Sequence, residues 1–306
     1  MTVTQIQLDF LIIGAQKSAS TFVHECLREH PAIFIPKDEV PFFEDPYYDL
    51  GSVAEQIGRE LRVRGAASRV GIKRPNYLCE TPCAERIRRH VRDPQFIVVL
   101  REPVERAISA YFWYMRMGYL PVKPLDEGMA ALLSGAYTMQ YPTSQQILGY
   151  GFYARHLIRY FQVFPREKFL ILFQEDFNLH SLEMVQSAYR FLEVADDYVP
   201  QSLARRPKPS LYALPRITWS RWRNPWIHTY TVVDGHPVNF LPRRHLGVLL
   251  LKGFFYIVDR LLLARLYPNT RPTLRADLRE ELAEVYRVDV EDLELLLGRD
   301  LTPWKS

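Results

Sequence analysis

A chain of 306 residues, 48% apolar and 24% charged, can bury one large core and has the composition of an ordinary globular protein. Its 39 Lys and Arg against 35 Asp and Glu leave a net charge of +4, which favours anionic ligands. With no basic run and no aromatic RNA-binding motif, that charge is no nucleic-acid footprint. No repeat or low-complexity segment is present. Three cysteines, Cys26, Cys79 and Cys83, are an odd count and point to a reducing compartment. No other Cys or nearby His completes a metal set with Cys79 and Cys83, so no metal is expected. The opening residues, MTVTQIQLD, lack a basic segment followed by an apolar one. The expectation is therefore a cytoplasmic protein without a signal peptide.

The first predicted element is a buried strand, Phe10-Leu11-Ile12-Ile13, stopping at Gly14. Lys17, Ser18, Ser20 and Thr21 follow, and then a helical pattern with Phe22, Val23, Cys26 and Leu27 on one face. A strand, a turn of small residues and a helix start aim backbone N–H groups at an anion, with Lys17 and the hydroxyls as further donors. The alternative is a plain strand–turn–helix connection with a solvated lysine. The ATP-binding pattern GxxxxGK[ST] is absent, because Lys17 follows Gly14 by three residues and no second glycine precedes it. Lys17-Ser18-Ala19-Ser20-Thr21 instead resembles the nucleotide loop of sulfotransferases that use 3′-phosphoadenosine 5′-phosphosulfate (PAPS). Ala19 stands where that family usually has glycine, which implies a negative φ at this position.

An extended, proline-bounded piece at 30–36 leads to Lys37-Asp38-Glu39-Val40-Pro41-Phe42-Phe43. Glu39 sits among apolar and aromatic residues, where desolvation would raise its pKa and make it a stronger base. This stretch resembles the K-x-E-V-x-F-F segment of the Golgi glycan sulfotransferases, the heparan sulfate group included. The resemblance implies that Glu39 is the catalytic base, with Phe42 and Phe43 on the acceptor side. A helix is expected at 55–64, then a strand at 70–73. Lys73-Arg74-Pro75-Asn76-Tyr77 is similar to the family's K-x-P-x-Y element, which implies that Lys73 lies near the reacting sulfuryl group or the acceptor, and Tyr77 on the acceptor side. An Arg-rich amphipathic helix at 84–92 precedes a second continuous apolar strand at 95–100, as a sheet buried on both faces requires. That strand delivers Arg101 at its C-terminal end, where open α/β sheets bind ligands.

Arg101 to Tyr111 fits R-x-P-x-x-R-x-x-S-x-Y, with Pro103 suited to a first helical turn. The resemblance implies that Arg101 and Ser109 grip the 3′-phosphate of the nucleotide. Aromatic-rich helix follows, then a Pro- and Gly-punctuated connection at 120–142 that is a candidate acceptor loop. A helix at 149–165, a strand at 169–173 and a helix at 181–193 come next. Glu175 and Asp176 are read as a polar strand end. The loop ARRPKPS at 204–210 is basic and proline-stiffened, and the resemblance, in which a late basic loop closes over the nucleotide, makes Arg205, Arg206 and Lys208 candidates for that role. Residues 245–266 are too interrupted by charge to span a bilayer, so a core helix is the default. The stretch 246–266 is also a candidate for peripheral membrane contact. A terminal helical pair at 271–304 ends in a segment similar to that of many sulfotransferases.

Alternating apolar strands and amphipathic helices imply an α/β fold with a central, mainly parallel sheet. The resemblance implies the P-loop-like sulfotransferase fold across residues 1–306 as a single domain, with a helical acceptor-binding annex at 204–270. The activity it implies is in-line sulfuryl transfer from PAPS, leaving 3′-phosphoadenosine 5′-phosphate, to a hydroxyl or amine on a carbohydrate, lipid or small molecule, with no metal required. The rivals are an ATP-using kinase, which the loop spacing opposes, and a catalytically silent nucleotide- or glycan-binding module, which the joint presence of Lys17 and Glu39 opposes.

Overall fold

The computed structural model describes residues 5–204, 210–233, 236–243 and 246–305. Five strands, β1 (Phe10–Gly14), β2 (Ile33–Phe34), β3 (Arg69–Lys73), β4 (Gln95–Leu100) and β5 (Phe169–Phe173), form one sheet in the order β2-β3-β1-β4-β5. Every neighbouring pair in it is parallel, in keeping with the expected α/β class. Between and after them run α1 (Ser20–Glu29), α2 (Val53–Glu60), α3 (Cys83–His90), α4 (Pro103–Met117), α5 (Leu125–Leu133), α6 (Gln145–Gly149), α7 (Tyr153–Phe161) and α8 (Gln174–Phe191). The remainder comprises α9 (Leu214–Ile227), an antiparallel pair β6 (His228–Val233) and β7 (His236–Pro242), α10 (Leu246–Val258), a π turn at Asp259–Leu263, α11 (Ala264–Leu266) and α12 (Ala276–Leu297).

The chain divides into two compact units. One holds the five-stranded sheet with α1, α2, α3, α7 and α8; the other holds α4, α5, α6, α9, α10, α11 and the β6–β7 pair. In the sheet unit β1 is fully buried along its length, because helices cover both faces. Phe10, Ile12, Ile97 and Val99 pack with Phe22, Val23 and Cys26 of α1 and with Phe177, Val185 and Tyr189 of α8. On the opposite face the Phe96 ring meets Tyr160 of α7 and Phe164 just beyond it. The alternation along β4 thus sends Ile97 one way and Phe96 the other. Helix α8 starts directly at the end of β5, so Glu175 and Asp176 occupy its first turn rather than a strand end. Non-helical backbone at His180 breaks α8, and the helix expected from 181 is its second half.

In the second unit the Arg106 guanidinium is fully buried and donates to the carbonyl of Ile147. The second arginine of the R-x-P-x-x-R motif is therefore a packing device. Helix α9 is tied to the end of α4, with Asn224 donating to the Arg116 carbonyl at 2.7 Å and Arg221 to that of Leu120 at 2.5 Å. Helix α10 rests on α9 through Phe255, whose ring meets Trp219 and Trp222, and through the Arg216–Asp259 ion pair at 2.7 Å. Two expectations are corrected here. The stretch 204–270 is not all helical, since β6 and β7 interrupt it; Asp234-Gly235 between apolar runs is the sequence signal for such a hairpin. The apolar run at 245–266 is not a core helix either: Phe255 is buried, but Leu250 is 72% exposed.

Candidate functional site

The chain leaves β1 toward β2 and β3 on one side and later crosses to β4 on the other, so the segment after β1 lies where the winding direction reverses. In open parallel sheets that position, at the carboxyl ends of the strands, is where ligands bind. The segment turns tightly. Lys17 has φ of 68° and Ala19 has φ of 70°, both left-handed. The negative φ expected at Ala19 is thus overturned: the turn into α1 imposes the left-handed conformation whether or not the residue is glycine, at about 1–2 kcal/mol for a side chain with a Cβ. Residues held this way cluster at ligand sites, where the surrounding structure sustains the strain. Gly14 is required for a different reason, since a Cβ there would lie 2.6 Å from Leu78 Cδ2.

Helix α1 opens at Ser20 with no side-chain cap on its N-terminus. The Ser18 hydroxyl is buried without a hydrogen-bond partner among the described residues, and Ser20 Oγ reaches the Ala15 carbonyl only at 3.5 Å. An uncapped helix start beside an orphaned hydroxyl and a lysine is a fit for an anion with several acceptor oxygens.

Lys73 ends β3 beside this turn. Its buried Nζ donates to Thr21 Oγ1 and to Glu39 Oε1, both at 2.9 Å. The other oxygen of Glu39 accepts from Arg74 Nη1 at 3.1 Å, and Arg74 also pairs with the buried Glu44. Backbone bonds set this geometry: Arg74 N donates to the Ile12 carbonyl at 2.9 Å, and Val40 N to the Lys73 carbonyl at 3.0 Å. Burial pushes the Glu39 carboxyl up, but the charges and hydrogen bonds of Lys73 and Arg74 outweigh it and hold the group below the usual 4.5. The raised pKa expected at Glu39 is therefore corrected. Two cations beat desolvation, and the group is a fully ionised, weaker base. Its side chain remains 39% exposed, so an acceptor can reach it. Burial pushes Glu44 up to about 7.

Of the expected acceptor-side residues, Phe43 and Tyr77 are fully buried. Tyr77 donates its hydroxyl to the Val40 carbonyl and receives the Phe43 N–H at 3.3 Å. They brace the Glu39 loop from beneath rather than line a surface; Phe42 is half-buried. Arg101, at the end of β4, points Nη1 at the Lys17 carbonyl at 3.4 Å, and its own carbonyl accepts from Tyr153 at 2.9 Å. The next residue's N–H is taken by Glu175 at 2.9 Å, which gives that carboxylate a structural role. Ser109, on α4 in the other unit, is buried with its hydroxyl 2.9 Å from that of Ser210. Ser210 is held in turn by Asn269 at 2.9 Å. Arg205, Arg206 and Lys208 lie outside the described residues.

Three contributors escaped the sequence reading. Arg74 was passed over beside Lys73, although both follow a strand end where ligands bind. Glu44 carries no motif of its own. His24 on α1 donates Nε2–H to the Pro36 carbonyl at 2.8 Å and so ties the Glu39 segment to the anion turn. Burial first, and then the Lys73 charge, push its pKa down to about 4, so the ring is neutral at pH 7.

The chain matches the sulfotransferase domain pattern over residues 7–205. Heparan sulfate glucosamine 3-O-sulfotransferase 3B1 of Homo sapiens is 31% identical over 163 residues, covering 53% of this chain and 40% of that protein. The 3A1 enzyme of the same organism is also 31% identical over 163 residues, 53% of this chain and 38% of its own. The match thus spans about two fifths of these relatives' length. A crystal structure of a sulfotransferase from Alicyclobacillus acidocaldarius shares the fold, with a TM-score of 0.68 at 22% identity, covering 98% of this chain and 99% of that one.

Proposed function

The chain belongs to the sulfotransferase family, and we propose that it moves a sulfuryl group from PAPS to a carbohydrate hydroxyl. PAPS supplies the sulfuryl group; this chain's residues hold the donor, place the acceptor and take the proton. The acceptor oxygen attacks sulfur, the bond from sulfur to the 5′-phosphate oxygen breaks, the electron pair leaves with that oxygen, and the acceptor proton goes to Glu39. Lys17, Ser18 and the N–H groups at the start of α1, with Ser20 and Thr21, meet the charge that grows on the leaving oxygen. Lys73 offsets charge on the sulfuryl oxygens. Arg101, whose guanidinium reaches the Lys17 carbonyl at 3.4 Å beside the anion turn, receives the 3′-phosphate and so aligns the donor.

The observation that carries this reading is the Lys73 ammonium, which hydrogen-bonds the anion turn through Thr21 and the exposed carboxylate through Glu39, each at 2.9 Å. Charge stabilisation and proton removal are thereby set side by side at one strand end. The carbohydrate acceptor rests on the K-x-E-V-x-F-F segment and on relatives that are heparan sulfate glucosamine 3-O-sulfotransferases. The test is incubation with labelled PAPS and pools of glycans, lipids and small hydroxylated metabolites, with products read by mass spectrometry. A sulfated glycan, lost in Glu39→Gln, is the expected result. Sulfation confined to another pool overturns the acceptor, and no transfer to any pool overturns the activity.

A further inference from the structure

We propose that the outer face of α10 and α11 seats the protein on an anionic phospholipid surface. The run from Leu246 to Leu266 is the longest apolar stretch of the chain, yet one narrow side of it is covered. Val248, Lys252, Phe255 and Asp259, spaced three or four residues apart, make up that side, where Phe255 meets Trp219 and Trp222 and Asp259 pairs with Arg216. Leu249, Leu250, Phe254, Ile257, Leu261 and Leu262 are each more than half exposed. A continuous apolar surface of this kind marks an interaction site rather than a water-facing helix.

Charge identifies the partner. Residues 214–267 hold eight Lys and Arg against two Asp, a net +6, whereas the whole chain carries +4. Of these, Arg216, Arg221 and Arg223 are partly buried on α9, and Arg260 and Arg265 bring exposed positive charge to the apolar run itself, where Asp259 is already paired with Arg216. Two copies meeting through this face would bring like charges together, whereas an anionic bilayer complements both properties. The rings of Trp222 and Trp226, more than half exposed on α9, are the kind that settle at headgroup level. Arg260 and Arg265 lie exposed among the leucines, with aliphatic stems able to follow the apolar face and heads able to reach phosphates. Among the described residues no helix is long and apolar enough to cross a membrane, so α10 and α11 would lie on the surface rather than span it.

The experiment is sedimentation of the full chain with extruded vesicles of phosphatidylcholine alone or with phosphatidylglycerol added. We expect partitioning to anionic vesicles at least about tenfold above neutral ones, and a loss of most of it at high salt. Leu250→Glu with Phe254→Glu removes binding to both vesicle types. Arg260→Glu with Arg265→Glu leaves the apolar face and abolishes the preference for anionic lipid. Thermal melts check that both variants stay folded. Equal sedimentation with the two vesicle types, none with either, or binding that survives both variants overturns the proposal. So does a concentration-dependent dimer, seen by analytical ultracentrifugation, that the leucine-face variant dissociates while vesicles capture nothing.

Discussion

Strand β1 and helix α10 are both built from apolar residues, and they meet opposite fates. Phe10 to Ile13 expose no surface at all, while Leu249 and Leu250 are 55% and 72% exposed. The difference lies in what flanks each run. β1 has a parallel neighbour on each edge and a helix layer on each face, whereas α10 has α9 on one side. Hydrophobicity of a segment sets what it can bury; the number of elements around it sets what it does bury. A second difference follows. The buried strand runs into a tight turn that carries the orphaned Ser18 hydroxyl and an uncapped helix start, polar groups in fixed directions, while the exposed helix offers area without directed polar groups, which suits a soft, non-directional surface.

That contrast is broken most directly at the chemistry. Glu39→Gln is expected to lower turnover about 10²–10⁴-fold with nucleotide affinity kept, as a lost general base would; unchanged turnover in a steady-state assay would sink its role. Lys17→Ala should cost about 10²–10³ in turnover, the scale of one lost donor at a developing charge, checked with PAPS saturating. Core and surface separate in stability: Ile12→Ala should destabilise by about 2–5 kcal/mol in urea unfolding, and Leu250→Ala by within about 0.5 kcal/mol. Equal losses would mean that α10 is covered after all. Arg101→Ala should weaken binding of the 3′-phosphorylated nucleotide by about 1.5–3 kcal/mol relative to its dephosphorylated form, read by calorimetric titration of both ligands.

The smallest effect expected is in pH dependence. Because Lys73 and Arg74 hold Glu39 below 4.5, the stability they give its carboxylate is complete above 4.5 and is lost as pH falls through the lower folded value. The acid limb of kcat/KM should therefore fall below pH 4.5. In Lys73→Met, burial is opposed by Arg74 alone and the limb should move upward. A limb that stays in place would show that the observed ionisation belongs to another group.

Much of the sheet unit was legible because parallel strands buried on both faces read as unbroken apolar runs, as at Phe10–Gly14 and Gln95–Leu100. The turn after β1 was legible in residue type but not in backbone, since Ala19 adopts a conformation that sequence assigns to glycine; the tertiary frame overrides the local preference. Glu39 could be picked out, but not the sign of its shift, because Lys73 and Arg74 reach it across 34 and 35 residues of chain. Phe43 and Tyr77 looked like pocket walls for the same reason: an aromatic beside a motif has no stated direction until the strand register fixes it. The α10 run was misassigned because periodicity reports apolarity and not company.

The Glu39 carboxylate is gripped at both oxygens, by an ammonium on one and a guanidinium on the other. In the proposed reaction, a proton landing there would weaken both of those charge-assisted hydrogen bonds. Each donor already has somewhere to go, Lys73 to the Thr21 hydroxyl and Arg74 to Glu44. The guanidinium would thus keep a carboxylate beside it, whereas the buried ammonium would keep only a neutral hydroxyl, which presses the carboxyl to give the proton up again.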